Sequence, residues 1–362
     1  MKRVLILVIP LLSLFLLGCP ESPKVARGDE DLILVVSDST EFRELESTIS
    51  TVFEKIIITP QPEQLFKIKN IEVSSLNNSR YQKNIIIAAP LNSESAAGKF
   101  INSILDSAAK ASVMNGETVM ISKDNLWADG QLVVILTAPT LEDLEFQILR
   151  NSDNLVYAFQ KKSDERLSNT AYNKKYRQLN VEGQLLKEFG WTIFVQLDFR
   201  VAKKVKQDNF VWLRRGINTD TERWVFVKYF DNMTPEYLNK DSIILLRNQV
   251  TEKYYLTSDD SVYVVATGDY TSREVNFNGN YAIFTQGLWK TTDNYMGGPF
   301  ISYTFYDTKT KRIYMVDGSL FAPKHFKRNL IQQTDVMLQS FKLESQLDEK
   351  FKDELLKLAG NN

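Results

Sequence analysis

From Asp31 to about Leu149, compact aliphatic runs alternate with stretches in which apolar residues recur every three or four positions. An unbroken aliphatic run describes a buried strand and a 3.6-residue period an amphipathic helix, so the alternation restricts this half to α/β layering. Leu32–Val36 is the first such run, and the next segment places Phe42, Leu45, Ile49, Val52 and Phe53 on one helical face. Asp38 and Glu41 have the spacing of a capping box at its start. The strand Asn84–Ala89 opens a second unit, whose helix carries Phe100, Ile101, Ile104, Leu105 and Ala108 and reads as continuing to Met114. Thr118–Ser122 and Gln131–Thr137 follow as strands, and Thr140 caps a helix with Leu141, Leu144, Ile148 and Leu149.

After Glu165 the texture changes. One helical stretch, Tyr172–Glu188, leads into aromatic strands at Thr192–Leu197, Asn209–Arg214 and Arg223–Tyr229. A helix is expected over Pro235–Tyr254, with proline in the first turn where its missing N–H costs nothing. Further strands are Val262–Ala266, Tyr281–Gln286, Phe300–Tyr306 and Arg312–Asp317, the last two joined by a hairpin loop at Asp307–Lys311. Two helices close the chain, one with Phe326, Leu330, Met337 and Phe341, the other with Leu347, Phe351, Leu355 and Leu358 behind a Ser345/Asp348 capping box. The expected fold is α+β. It comprises an α/β domain over 31–165, a domain over 166–343 built on a mainly antiparallel sheet flanked by helices, and an amphipathic helix within 344–362. That helix either docks on its own body or takes a partner. A chain of 362 residues suits about two domains.

The N-terminus has Lys2 and Arg3, an apolar stretch from Val4 to Leu17, and Gly18-Cys19. This is the order of an export signal over residues 1–18. As a helix the apolar stretch spans only about 21 Å against about 30 Å of hydrocarbon, too short for a comfortable permanent span. Leu16-Leu17-Gly18-Cys19 resembles the lipobox of bacterial lipoproteins, and Cys19 is the one cysteine of the chain. Lipidation at Cys19, with palmitate among the acyl chains, is therefore expected to anchor the protein to a lipid bilayer; an ordinary secretory signal with an incidental cysteine is the competing reading. Pro20, in place of the aspartate associated with inner-membrane retention, points to the outer membrane, on an unspecified face. Residues 19–30 read as a polar tether, whose Pro20–Glu30 portion would reach about 36–40 Å fully extended. With Cys19 acylated no intrachain disulfide is possible, so burial must supply the stability.

The chemistry scan eliminates more than it finds. One histidine, His325, leaves no multi-histidine metal site, and it sits among Lys324, Lys327 and Arg328 at a helix start, where a surface role is expected. Ser107-x-x-Lys110, Ser152-Asp153-Asn154 and Lys290-Thr291-Thr292 echo the motifs of penicillin-recognising serine enzymes. Ser107 is expected deep inside a helix, however, and the third motif lacks its glycine. No nucleophile elbow, phosphate loop or metal motif is present, and neither metal nor cofactor is expected. The basic stretch Arg200–Lys206, followed by Phe210-Val-Trp212, could meet anionic lipid, or simply blunt a strand edge. A net charge of −1 argues against nucleic acid as a partner. Trp289 stands before a polar loop leading to Met296-Gly297-Gly298-Pro299-Phe300, whose glycines permit unusual backbone angles or close approach.

Phe210-Val-Trp212-Leu-Arg214, Arg247-Asn248-x-Val250, Gly287-Leu-Trp289, Met296-Gly297-Gly298-Pro299-Phe300 and Ala322-Pro323 together resemble an uncharacterised family of bacterial envelope lipoproteins, domain of unknown function 4837. The resemblance extends over nearly all of the mature chain. It implies an envelope address and no particular activity. The function expected is that of a non-enzymatic binding or assembly protein of the cell envelope, its partner a protein, glycan or lipid, with Arg247, Trp289, Met296, Gly297 and Gly298 as candidate binding residues. The alternative is a hydrolase of envelope glycans that works through paired carboxylates.

Overall fold

A computed structural model describes residues 24–217, 219–256 and 261–360. The segment expected to be an export signal, and Cys19, lie outside the described residues. The first half runs β1 (Leu32–Val36), α1 (Ser39–Phe53), a two-strand ribbon of β2 (Ile56–Ile57) and β3 (Glu63–Gln64), β4 (Lys67–Ile71), α2 (Leu76–Ser79), β5 (Asn84–Ala88), α3 (Ala96–Ile104), α4 (Ser107–Met114), β6 (Met120–Asp124), β7 (Leu132–Leu136), α5 (Leu141–Arg150) and α6 (Ser152–Ala171). Its sheet has the order β4-β1-β5-β7-β6, parallel except for the edge strand β6. Parallel strands inside a sheet need cover on both faces, which is why β1, β5 and β7 are almost wholly aliphatic, whereas the edge strand β4 carries Lys67, Lys69 and Asn70. Ile86 and Val134 pack towards α1, α5 and α6; Ile85, Ile87, Val133 and Ile135 pack towards α3 and α4.

The helix expected to run through Met114 is broken. Leu105 is extended, and the Asp106 side chain accepts from the Ala109 N–H at 2.8 Å to start α4. Ser107 therefore opens a helix instead of lying inside one. The enzyme motifs still do not converge. Ser152 begins α6, on the α1 side of the sheet where Asp153 pairs with Lys55, while α4 covers the opposite face. Lys290 belongs to the other half, bonded to Asn294. Asp38 caps α1 through the Thr40 N–H, but Glu41 turns to the Ser93 and Ser95 hydroxyls, so the reciprocal half of the expected capping box is absent.

The second half runs α7 (Leu179–Phe189), β8 (Trp191–Thr192), β9 (Phe199–Val205), β10 (Phe210–Arg215), β11 (Glu222–Phe230), α8 (Lys240–Tyr254), β12 (Val264–Phe277), β13 (Asn280–Thr291), β14 (Gly297–Asp307), β15 (Arg312–Phe321), α9 (Arg328–Gln339), β16 (Lys342–Leu343) and α10 (Glu349–Ala359). Seven strands form one antiparallel sheet, β12-β13-β14-β15-β11-β10-β9. One face packs an aromatic layer against α8; the other receives α9 and the α7–β8 region. The chain is α+β, as its texture implies. The C-terminal helix α10 docks on α7, where a Cβ on Gly183 would stand 2.1 Å from the Leu355 carbonyl.

Three boundaries move. Lys24–Glu30 is no tether: Val25 pairs with Asp129, Arg27 with Gln82, and Glu30 takes Arg166, Lys83 and Ser163. The division expected at Glu165 falls inside α6, whose last turns bury Ser163 and Arg166 instead of apolar side chains and so hide its helical period. Thr192–Leu197 is mostly irregular, because the Val195 N–H donates to the Glu182 carboxylate and not to a neighbouring strand.

The halves are latched. From the β2–β3 ribbon, Glu63 accepts from the backbone N–H groups of Lys327 and Arg328 at 2.8–2.9 Å, capping α9 across the domain boundary. Arg328 returns the contact by donating to the Leu65 carbonyl at 2.9 Å.

Candidate functional site

Helix α6, strand β12 and helix α9 enclose a cleft of about 760 Å³ where the two halves meet. A smaller recess of about 150 Å³ continues it beneath Arg328, sharing Gln160, Asp164, Arg273, Tyr303 and Asp335. The wall from the sheet is unusual: six consecutive residues of chain, Arg273–Asn278, line it. They can do so because β12 is an edge strand, paired only with β13.

Two half-buried acids face each other across this space. Asp164, from α6, accepts from the Gln332 side-chain amide at 2.7 Å. Burial, reinforced by the nearby Asp335 charge, pushes its carboxyl up to about 7. Asp335, from α9, accepts from the Tyr303 hydroxyl at 2.7 Å and the Gln339 amide at 2.8 Å. Burial raises this carboxyl as well, with the two hydrogen bonds and Arg273 opposing. Tyr303 is held protonated by burial and by Asp335, which suits its role as donor. The Arg273 side chain lies exposed over the Phe284 ring, 4.8 Å from its centre, and its guanidinium makes no hydrogen bond or ion pair among the described residues. The cleft thus offers an uncommitted guanidinium, a carboxyl that can donate or accept near neutrality, and an unpaired strand edge.

Residues 177–340 match the family described as domain of unknown function DUF4837, and residues 26–172 match a second, domain of unknown function DUF8532. The DUF4837 match thus falls on the C-terminal half. The resemblance implied an extent well beyond this match, which begins only between α6 and α7, and the cleft joins the region it covers to the DUF8532 region. No curated protein matches the chain. Among solved structures it is similar to PsbP from Synechocystis sp. PCC 6803, at 13% identity over 43% of this chain and 88% of that one, with a TM-score of 0.30. It is also similar to the Saccharomyces cerevisiae Ran-binding protein Mog1p, at 12% identity over 45% and 93%, with a TM-score of 0.29. Likeness at that level carries no argument.

The candidate residues read from sequence lie in the interior of the DUF4837 region and not in the cleft. Arg247 is fully buried, donating to Asp317 at 2.7 and 3.2 Å and to the Ser319 hydroxyl at 2.9 Å, with its guanidinium 3.8 Å from the centre of the Phe300 ring. Trp289 is buried against Trp224, ring centres 5.0 Å apart. Met296 closes the β13–β14 turn: its carbonyl accepts from the Thr291 N–H at 2.9 Å and its own N–H donates to the Thr291 hydroxyl at 2.9 Å. Gly297 and Gly298 begin β14 with ordinary backbone angles, so close approach is what requires them: a Cβ on Gly298 would meet the Leu320 carbonyl at 1.9 Å. His325 is exposed. The basic stretch is edge strand β9, where Lys204 pairs with Glu188 at 2.7 Å. Asp164, Arg273, Tyr303 and Asp335 carry no motif; each is an ordinary residue until the halves pack together.

Among the described residues, no group of three or more His, Cys, Asp or Glu side chains is placed to hold a metal ion. No described helix is long and apolar enough to cross a membrane.

Proposed function

We propose that this protein is a lipid-anchored binding protein of the bacterial cell envelope whose cleft takes an extended peptide segment of an envelope protein alongside β12. The observation that carries this reading is the open β12 edge lining the cleft over Arg273–Phe277. An edge strand presents unpaired N–H and C=O groups, and a peptide adding to it gains backbone hydrogen bonds while its side chains meet pockets. Arg273 supplies a site for an acidic side chain or a terminal carboxylate. The anchor rests on the lipobox-like Leu16–Cys19 sequence and the outer-membrane address on Pro20.

A photocrosslinking residue at Glu274, in intact cells, tests the binding site. Protease-sensitive adducts from this position, and none from Lys203 on β9, support peptide binding; adducts removed by glycan-cleaving enzymes would replace it with a glycan ligand. Palmitate labelling that survives Cys19→Ala would sink the anchor. The glycan hydrolase alternative draws on the Asp164–Asp335 pair. Both Asp335 oxygens already accept hydrogen bonds, however, from Tyr303 and Gln339, so in its present state Asp335 is held as an acceptor within the fold and turned away from a reacting sugar. Release of glycan fragments by the parent protein but not by Asp164→Asn would favour hydrolysis.

A further inference from the structure

The break between α3 and α4 leaves a gap in the helical cover of the parallel sheet. Beneath it lies a pocket of about 470 Å³ whose floor is Ile87 and Ile135 and whose sides include Phe100 and Trp127. Its rim is apolar and open: Ile104 is 44% and Leu126 43% exposed. A volume in the range of about 300–1,000 Å³ with a mainly apolar lining is that of a ligand site. Polar groups stand at the mouth, among them Arg80 and Lys123.

The N-terminal segment leads to this mouth. The Lys24 carbonyl accepts from the Asp129 N–H at 2.8 Å, and Ala26 donates to the Asp129 carbonyl at 2.9 Å. Asp129 is two residues beyond Trp127 in a tight loop, in which Gln131 accepts from the Trp127 N–H at 3.1 Å. Between Cys19 and Lys24 the chain can reach about 17–18 Å at most, at 3.3–3.6 Å per residue. A lipid on Cys19 is therefore held within a short distance of an apolar pocket that nothing else in the described chain fills.

We propose that this pocket holds one acyl chain of the lipid on Cys19 when the protein is away from the bilayer. The inference rests on the lipoprotein reading above. An acyl chain in water gains by burial in proportion to its methylene groups, and the pocket offers that burial without a membrane. The charged mouth leaves the polar ester end of the lipid in contact with solvent.

The test uses full-length protein made in cells fed a fatty acid that carries a photoreactive diazirine near its end, purified and transferred to detergent-free buffer. Intact mass first establishes whether Cys19 is acylated; an unacylated Cys19 overturns both the anchor and this proposal. With acylation present, irradiation is expected to attach the chain to peptides containing Ile104 or Leu126–Trp127. Attachment elsewhere, or only between protein molecules, overturns the pocket while leaving the anchor intact. Ala109→Trp, which fills the pocket, is expected to abolish those adducts without altering the acyl mass. Leu126→Glu, at the exposed rim, provides the same readout should the filled variant fail to fold, and adducts undiminished in a folded variant count against the site.

Discussion

In the interior of the C-terminal half, Asp317 is gripped by Arg247 and Ser319 with no access to water. At the seam between the halves, Asp164 has an amide from Gln332 and no cation bonded to it, although Arg273 stands free in the same cleft. The two acids show two ways of keeping a carboxyl out of solvent. A buried ion pair satisfies its own electrostatics and is part of the packing; it has nothing left to offer a ligand. A half-buried carboxyl without a paired cation is costly to ionise and remains available to an incoming group.

Breaking the interior pair has the largest expected effect. Arg247→Ala leaves the Asp317 charge buried without its partner, and chemical denaturation is expected to show a loss of about 3–5 kcal/mol. Replacing both members with apolar residues of similar volume should recover most of it. No loss in the single variant would remove the contrast with the seam.

Asp164→Asn works in the opposite direction. Its folded-state carboxyl titrates near 7, above its unfolded value, so the folded protein holds the extra proton and stability declines as pH rises from about 4 through 7. At pH 8 the asparagine variant is expected to be more stable than the parent by on the order of 2–3 kcal/mol, discounted for partial solvent contact, with little difference at pH 4. Melting curves at the two pH values check it, and equal shifts at both would show that the seam acid is not strained by its surroundings.

Gly298→Ala probes how tightly the interior is assembled. Its methyl group would collide with the Leu320 carbonyl, and the expected cost is about 1–3 kcal/mol, read from the denaturation midpoint. The smallest effect concerns the latch. Glu63→Gln keeps the side chain's shape but removes the charge at the α9 N-terminus, with an expected loss of about 1 kcal/mol. Calorimetry that resolves one transition in the parent and two in this variant would show that Glu63 couples the halves.

Much of the architecture was legible locally. Leu32–Val36 and Arg312–Asp317 are strands because uninterrupted aliphatic or aromatic runs have few other uses, and Asp348 caps the last helix through the Phe351 N–H. Helix α6 was not legible, because its later turns face Glu30 and Gly130 with Arg166 and Ser163. A buried polar network leaves no hydrophobic period to read. The same reason explains why Arg247 and Trp289 stood out for binding: a large cation and a tryptophan look alike in sequence whether they meet a ligand or each other's neighbours.

The chain by itself determined the order of strands and helices, the change of texture between its halves, and the cysteine at which a lipid would attach, because each depends on residue type and spacing along a few turns. Only the tertiary structure decided that Asp164 and Asp335 share a cleft, that the β12 edge lies open along it, and that the α3–α4 break exposes an apolar pocket near the start of the described chain. Those features arise from contacts between segments far apart in sequence, where what matters is which side chain lacks a partner after everything else has packed.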